Sequence, residues 1–108
     1  MAGGVTTHVL DVARGCGAAG MRVVLRGDEG DVFDGELEEG GRAALLAASA
    51  LRAGTYEILF HAGDYQVRFG GPRFFDVISV RFNVTDVVQH HHVPLVLSPF
   101  GYSTYRGG

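Results

Sequence analysis

With 108 residues, 46 % of them hydrophobic, the chain has the apolar content for one core and the length for a single domain over residues 1–108. Twelve acidic residues stand against nine basic ones, all nine of them Arg, for a net charge of −3. That balance excludes the clustered basic surface that nucleic acid or an anionic membrane would require, so the expected partner is a small molecule.

Strand signals dominate the first third. Val5 to Asp11 is rich in β-branched residues, and the small-residue turn Gly15 to Gly20 leads into Met21 to Arg26, where Met21, Val23 and Leu25 alternate. Asp28, Glu29 and Gly30 form a turn, Asp31 to Glu36 a short third strand, and Glu38 to Gly41 a turn that delivers Arg42 to the start of a fourth. Ala43 to Ala53, AALLAASALRA, is ambiguous: its helix propensity is high and Gly54 follows like a C-terminal cap.

Thr55 to His61 is a clearer strand, with Tyr56, Ile58 and Phe60 on one face. Asp64 to Phe69 is long enough for one or two helical turns with Asp64 as N-cap, ended by Gly70, Gly71 and Pro72. The remainder reads as strands Val77 to Val84 and Gln89 to Leu97, joined by a turn at Thr85 to Val88, and a last strand near Ser103 to Arg106. Seven or eight short strands with Gly-rich turns point to a β-sandwich or barrel.

Alternation along Gln89 to Leu97 puts His91, Val93, Leu95 and Leu97 on one face and His90, His92, Pro94 and Val96 on the other. Both faces are largely apolar, whereas a sandwich strand needs only one. The second face, with His92, is therefore expected to be covered by another copy of the chain.

Cys16 is the only cysteine, so neither an intrachain disulfide nor a thiolate metal site can form, which suits a reducing compartment. MAGGVTTHVL has no basic segment followed by an apolar one, no apolar run approaches the ~18 residues of a membrane span, and the C-terminus carries no address signal. A soluble, cytoplasmic protein is expected.

The three consecutive histidines invite a metal site, but alternation sends His91 away from His90 and His92. That leaves those two with His8, and no nearby Cys, Asp or Glu on the strand completes the set, so no metal and no other cofactor is expected. None of the serines sits in a G-x-S-x-G elbow, and the pairs Gly3-Gly4, Gly40-Gly41 and Gly70-Gly71 fit no phosphate-binding pattern and read as turns. What remains suits water activation: imidazoles that titrate near neutrality and arginines that hold a carbonyl or an anion.

The opening TTHVLDVARG, the segment AGTYEILFHAGDY and the closing HHHVPLVLSPFGYSTYRGG resemble the 5-hydroxyisourate hydrolases, the transthyretin-related or transthyretin-like proteins, over nearly the whole chain from Val5. The resemblance implies an all-β sandwich of two four-stranded antiparallel sheets with one short helix, matching the Asp64 to Phe69 segment, and it turns Ala43 to Ala53 into a fourth strand and a long connection. It implies a homotetramer, a dimer of dimers with sites at the dimer–dimer interface, acting on 5-hydroxyisourate in urate catabolism.

Carried over by position, the resemblance makes His8, Arg42 and His92 catalytic, either histidine serving as the base that activates water and Arg42 clamping substrate oxygen. Tyr105, Arg106 and Gly108 become substrate-binding residues of the C-terminal tetrapeptide. Gly108 departs from the pattern, where Ser is usual, so a role for that hydroxyl does not transfer; Gly17-Ala18 replaces a common Pro-Ala in a loop. The alternative is a transthyretin-type module that binds a small ligand in the same channel without turning it over.

Overall fold

The computed structural model describes residues 4–108, so the Gly3 half of the Gly3-Gly4 turn lies outside the described residues. Two sheets face each other. In the first, strand β1 (Val5–Asp11) is central. Its N-terminal half pairs antiparallel with β5 (Arg42–Leu46) and parallel with β8 (His91–His92), and its C-terminal half pairs antiparallel with β2 (Cys16–Gly17) and parallel with β9 (Leu95–Ser98). β10 (Gly101–Thr104) closes the edge against β9. The second sheet runs β4 (Gly30–Glu36), β3 (Arg22–Gly27), β6 (Gly54–His61), β7 (Val77–Val84), all antiparallel.

Period-two patterning builds the core. Val5, Val9, Val23, Leu25, Ile58 and Phe60 are fully buried between the sheets, each such side chain contributing about 1.5–3 kcal/mol by leaving water. The same arithmetic decides Ala43 to Ala53. Helix propensities differ by less than about 1 kcal/mol per residue, whereas β5 buries Ala43 and Leu45 on one face while Arg42 and Ala44 face out. The segment accordingly forms a strand and a single 3-10 turn at Ala48–Ala50 rather than a helix.

Three expectations need correction. Gln89 to Leu97 is not one strand: Pro94 has no amide hydrogen to give to a ladder, so pairing stops after His92 and resumes at Leu95. Helix α1 spans Ala62–Arg68 with His61 at the N-cap. Asp64 therefore lies in its first turn, where a carboxylate favours the positive end of the helix and meets Arg73 at 2.5 Å. The last strand ends at Thr104, two residues earlier than expected. Tyr105 to Gly107 leave the sheet and bring Gly107 into a bridge with His92.

The helix is tied to the first sheet through a buried phenol. The Tyr65 hydroxyl donates to Asp11 Oδ2 at 2.9 Å and accepts from Arg14 Nη1 at 2.8 Å. No helix among the described residues is long and apolar enough to cross a membrane.

Candidate active site

β1 alternates buried and half-buried residues, so Thr6 and His8 share its outer face. Strand pairing then decides their neighbours. His8 is directly opposite Arg42 on β5, while Thr6 pairs with Ala44 on one side and His92 on the other. Residues paired across a ladder point to the same side of a sheet, so His8, Arg42 and His92, distant in sequence, converge on one outer face.

Arg42 is presented by a tight turn. The Gly41 amide donates to the Glu38 carbonyl, the Glu38 amide donates to the Arg42 carbonyl, and the Val9 amide donates to the Gly41 carbonyl at 2.9 Å. Gly41 sits at φ +78°, and a Cβ there would come within 2.6 Å of the Val9 oxygen and 2.5 Å of the Ala18 nitrogen. Only glycine satisfies both constraints.

Thr6, Thr7, Glu38, Arg42, Ala43, Ala44 and His92 line a cleft of about 370 Å³. His92 is half-buried in it, and burial first, then electrostatic repulsion from the neighbouring His90, His8 and Arg42 side chains, hold its imidazole below the ordinary histidine range. At neutral pH the ring is therefore uncharged, with a lone pair available to take a proton, beside a guanidinium that stays charged. The arrangement suits polarising a carbonyl and removing a proton from water.

The chain belongs to the HIUase/Transthyretin family. The family's model matches residues 5–107. Among curated relatives, the 5-hydroxyisourate hydrolase of Deinococcus radiodurans is 48 % identical over 113 residues, covering 96 % of this chain and 95 % of that protein. Among solved structures, Klebsiella pneumoniae 5-hydroxyisourate hydrolase superposes with a TM-score of 0.89 at 30 % identity, covering 98 % of this chain and 99 % of that one. Sea bream transthyretin in complex with thyroxine shares the fold, with a TM-score of 0.87 at 24 % identity, covering 95 % of this chain and 93 % of its own.

In this member of the HIUase/Transthyretin family the C-terminal tail reaches the site through its backbone. The Gly107 amide donates to the His92 carbonyl at 2.7 Å. Tyr105 and Arg106, by contrast, do not line the His92 cleft. Both border a separate cavity of about 240 Å³ with Val80, Phe82, His91 and Val93. The Arg106 guanidinium donates to Gln89 Oε1 at 2.9 Å and to the His90 carbonyl at 3.2 Å. Gly108 stands in open space.

Two polar residues of the cleft, Glu38 and Thr6, were missed by sequence reasoning, as was the contact between Thr6 and His90. Glu38 lines it beside Arg42. Thr6 and His90 meet, with Thr6 Oγ1 at 2.8 Å from both His90 Nε2 and His92 Nδ1 and the two imidazoles stacked at 6.5 Å. The signal was present in the alternation that puts Thr6 with His8 and His90 with His92; the cross-strand pairing that joins the two sets was not.

Proposed function

We propose that this chain hydrolyses 5-hydroxyisourate, opening its six-membered ring to 2-oxo-4-hydroxy-4-carboxy-5-ureidoimidazoline in urate catabolism. The observation that carries the proposal is a half-buried His92 opening on the same cleft as Arg42, in a chain with hydroxyisourate hydrolases as full-length relatives. His92 takes a proton from water as its oxygen bonds to the ring carbonyl carbon, and Arg42 balances the charge that develops on the carbonyl oxygen. Collapse of the adduct breaks the carbon–nitrogen bond, the proton passes to the departing nitrogen, and a carboxylate is left. His8, opposite Arg42, serves as the hydrogen-bonding or acid partner, and no metal or cofactor takes part.

Of the tail, the Gly107 backbone is the part that supports His92; a substrate-binding role for Tyr105, Arg106 and Gly108, the first two of which border the neighbouring cavity in the single chain, follows from the family resemblance alone. As an assembly, a homotetramer built as a dimer of dimers fits the outer face of β1, where Leu10 remains 39 % exposed beside a cleft that one chain leaves open. A cytoplasmic location suits the sole, free Cys16. The test is direct: 5-hydroxyisourate is generated from urate with urate oxidase, the protein is added, and the decay of ultraviolet absorbance is compared with the spontaneous rate. Acceleration is expected. A rate equal to the spontaneous one, with ligand binding retained, assigns the chain instead to the transthyretin-type carriers.

A further inference from the structure

A hydroxyl group has one proton to give, yet Thr6 Oγ1 lies 2.8 Å from two imidazole nitrogens, His90 Nε2 and His92 Nδ1. In a hydrogen-bonded chain in which the hydroxyl proton is used between the two rings, one of these accepts from the hydroxyl and the other donates to it, which gives two arrangements. If His90 donates, the hydroxyl proton points at His92 Nδ1, and His92 carries its proton on Nε2, where it can only give. If His92 donates from Nδ1, the hydroxyl proton points at His90, and His92 Nε2 keeps its lone pair.

The second arrangement is the one a base at this position requires. Nδ1 is the nitrogen turned toward Thr6, so Nε2 is the ring nitrogen left to react, and a neutral imidazole keeps a lone pair there only when its hydrogen is on Nδ1.

We propose that Thr6 is a positioning residue that fixes the tautomer of His92: its hydroxyl accepts from Nδ1–H of His92 and donates to Nε2 of His90, leaving Nε2 of His92 free to take the proton of water. The choice of this arrangement rests on the hydrolase reading, while the tautomer itself is measured independently of turnover. His90 becomes the terminal acceptor of the chain, on the exposed side of the pair. As His92 gains a proton at Nε2, the Nδ1–H to Oγ1 bond becomes charge-assisted and strengthens, and no proton is transferred at Thr6.

Thr6→Val removes the hydroxyl with little change of shape, and Thr6→Ser keeps it. Thr6→Val is expected to lower kcat roughly 10- to 100-fold with little change in KM, less than the loss from removing a positioned base outright, and Thr6→Ser is expected to recover most of it. His90→Phe, at an exposed position, takes away the acceptor without touching the core, and is expected to lower kcat in the same way. Nitrogen-15 NMR of the imidazoles at pH 8 reads the tautomer directly: Nδ1–H at His92 in the wild type and in Thr6→Ser, a mixture in Thr6→Val. An Nε2–H tautomer at His92 in the wild type overturns the proposal whether or not the chain is a hydrolase. In a chain that does accelerate the reaction, a Thr6→Val variant with wild-type kcat overturns it too. Absence of hydrolysis by the wild type with the Nδ1–H tautomer in place overturns the hydrolase reading alone.

Discussion

Gly107 lies against His92 so closely that a Cβ on Gly107 would stand 2.4 Å from His92 Cδ2 and 3.1 Å from Cγ, while the Gly107 amide holds the His92 carbonyl at 2.7 Å. The absence of a side chain is what lets the tail lie against the imidazole. Gly107→Ala must therefore move either the ring or the tail. Because a displacement of about 1 Å at a reacting group can cost on the order of 10²-fold, this variant is expected to lose roughly 10- to 100-fold in kcat/KM. The tail is peripheral, so thermal unfolding is expected to shift by only a few degrees. Steady-state kinetics and a melting curve check both; unchanged kcat/KM would show that the ring tolerates the shift.

Removal of the reacting groups themselves is expected to be more severe. His92→Ala, His8→Ala and Arg42→Ala should each reduce turnover by about 10² to 10⁴ while leaving a folded protein, because all three project from the outer face of the first sheet rather than into the core. Turnover of 5-hydroxyisourate close to wild type in His92→Ala would remove that residue from the mechanism.

The pH profile follows from the depressed imidazole. His92 must be neutral to act as base, and burial with the charges of His90, His8 and Arg42 keeps its pKa below the ordinary value. Activity should persist as pH falls through 6.5, the ordinary histidine value, and decline only below it. Arg42→Gln removes one of the repelling charges, so the acid limb of its residual activity should move to higher pH. A limb that stays in place would assign the acid decline to another group.

On the opposite face, His91 is 5 % exposed and its Nδ1 finds no partner among the described residues. Burial and then the Arg106 charge lower its pKa. A depressed folded-state pKa means that its contribution is present above the unfolded-state value of about 6.5 and is lost as pH falls through the folded value. An unsatisfied buried polar atom costs about 1–3 kcal/mol. His91→Phe should therefore be at least as stable as wild type at pH 7.5 and clearly more stable at pH 5, as read by denaturant titration. A variant less stable at both would mean that the ring nitrogens are satisfied in solution.

Gly41→Ala tests whether the turn before Arg42 serves the site. Its φ of +78° and its contacts with Val9 and Ala18 make a Cβ both strained and crowded. A loss of about 1–3 kcal/mol in stability is expected, together with reduced kcat/KM through displacement of Arg42. A destabilised variant with intact kcat/KM would separate the turn from the chemistry.

The strands from Val5, Arg22, Gly54 and Val77 were legible because burying one face imposes a period of two, and a period is a local property of the chain. Asp64 suggested a cap and proved to lie inside the first helical turn, since residues that suit an N-cap also suit the turn that follows it. Ala43 to Leu46 was ambiguous because propensity and burial disagree there, and burial is settled by partners far away in sequence. His8, Arg42 and His92 came from a resemblance, and alternation alone gave only that His92 lies on the opposite face from His91.

By itself, then, the sequence determined the alternating strands, the expectation of a small-molecule partner and the separation of His91 from His90 and His92, because each follows from local periodicity and composition. Only the tertiary structure decided that β1 runs between β5 and β8, and with it that His8 faces Arg42 and that Thr6 stands between two imidazoles. Register between strands 38 and 86 residues apart along the chain is fixed by how a whole sheet buries its inner face, for example in the contacts Thr6 makes with Ala44 and His92. The same closure turned the tail away from the cleft at Tyr105 and Arg106 and back onto His92 at Gly107.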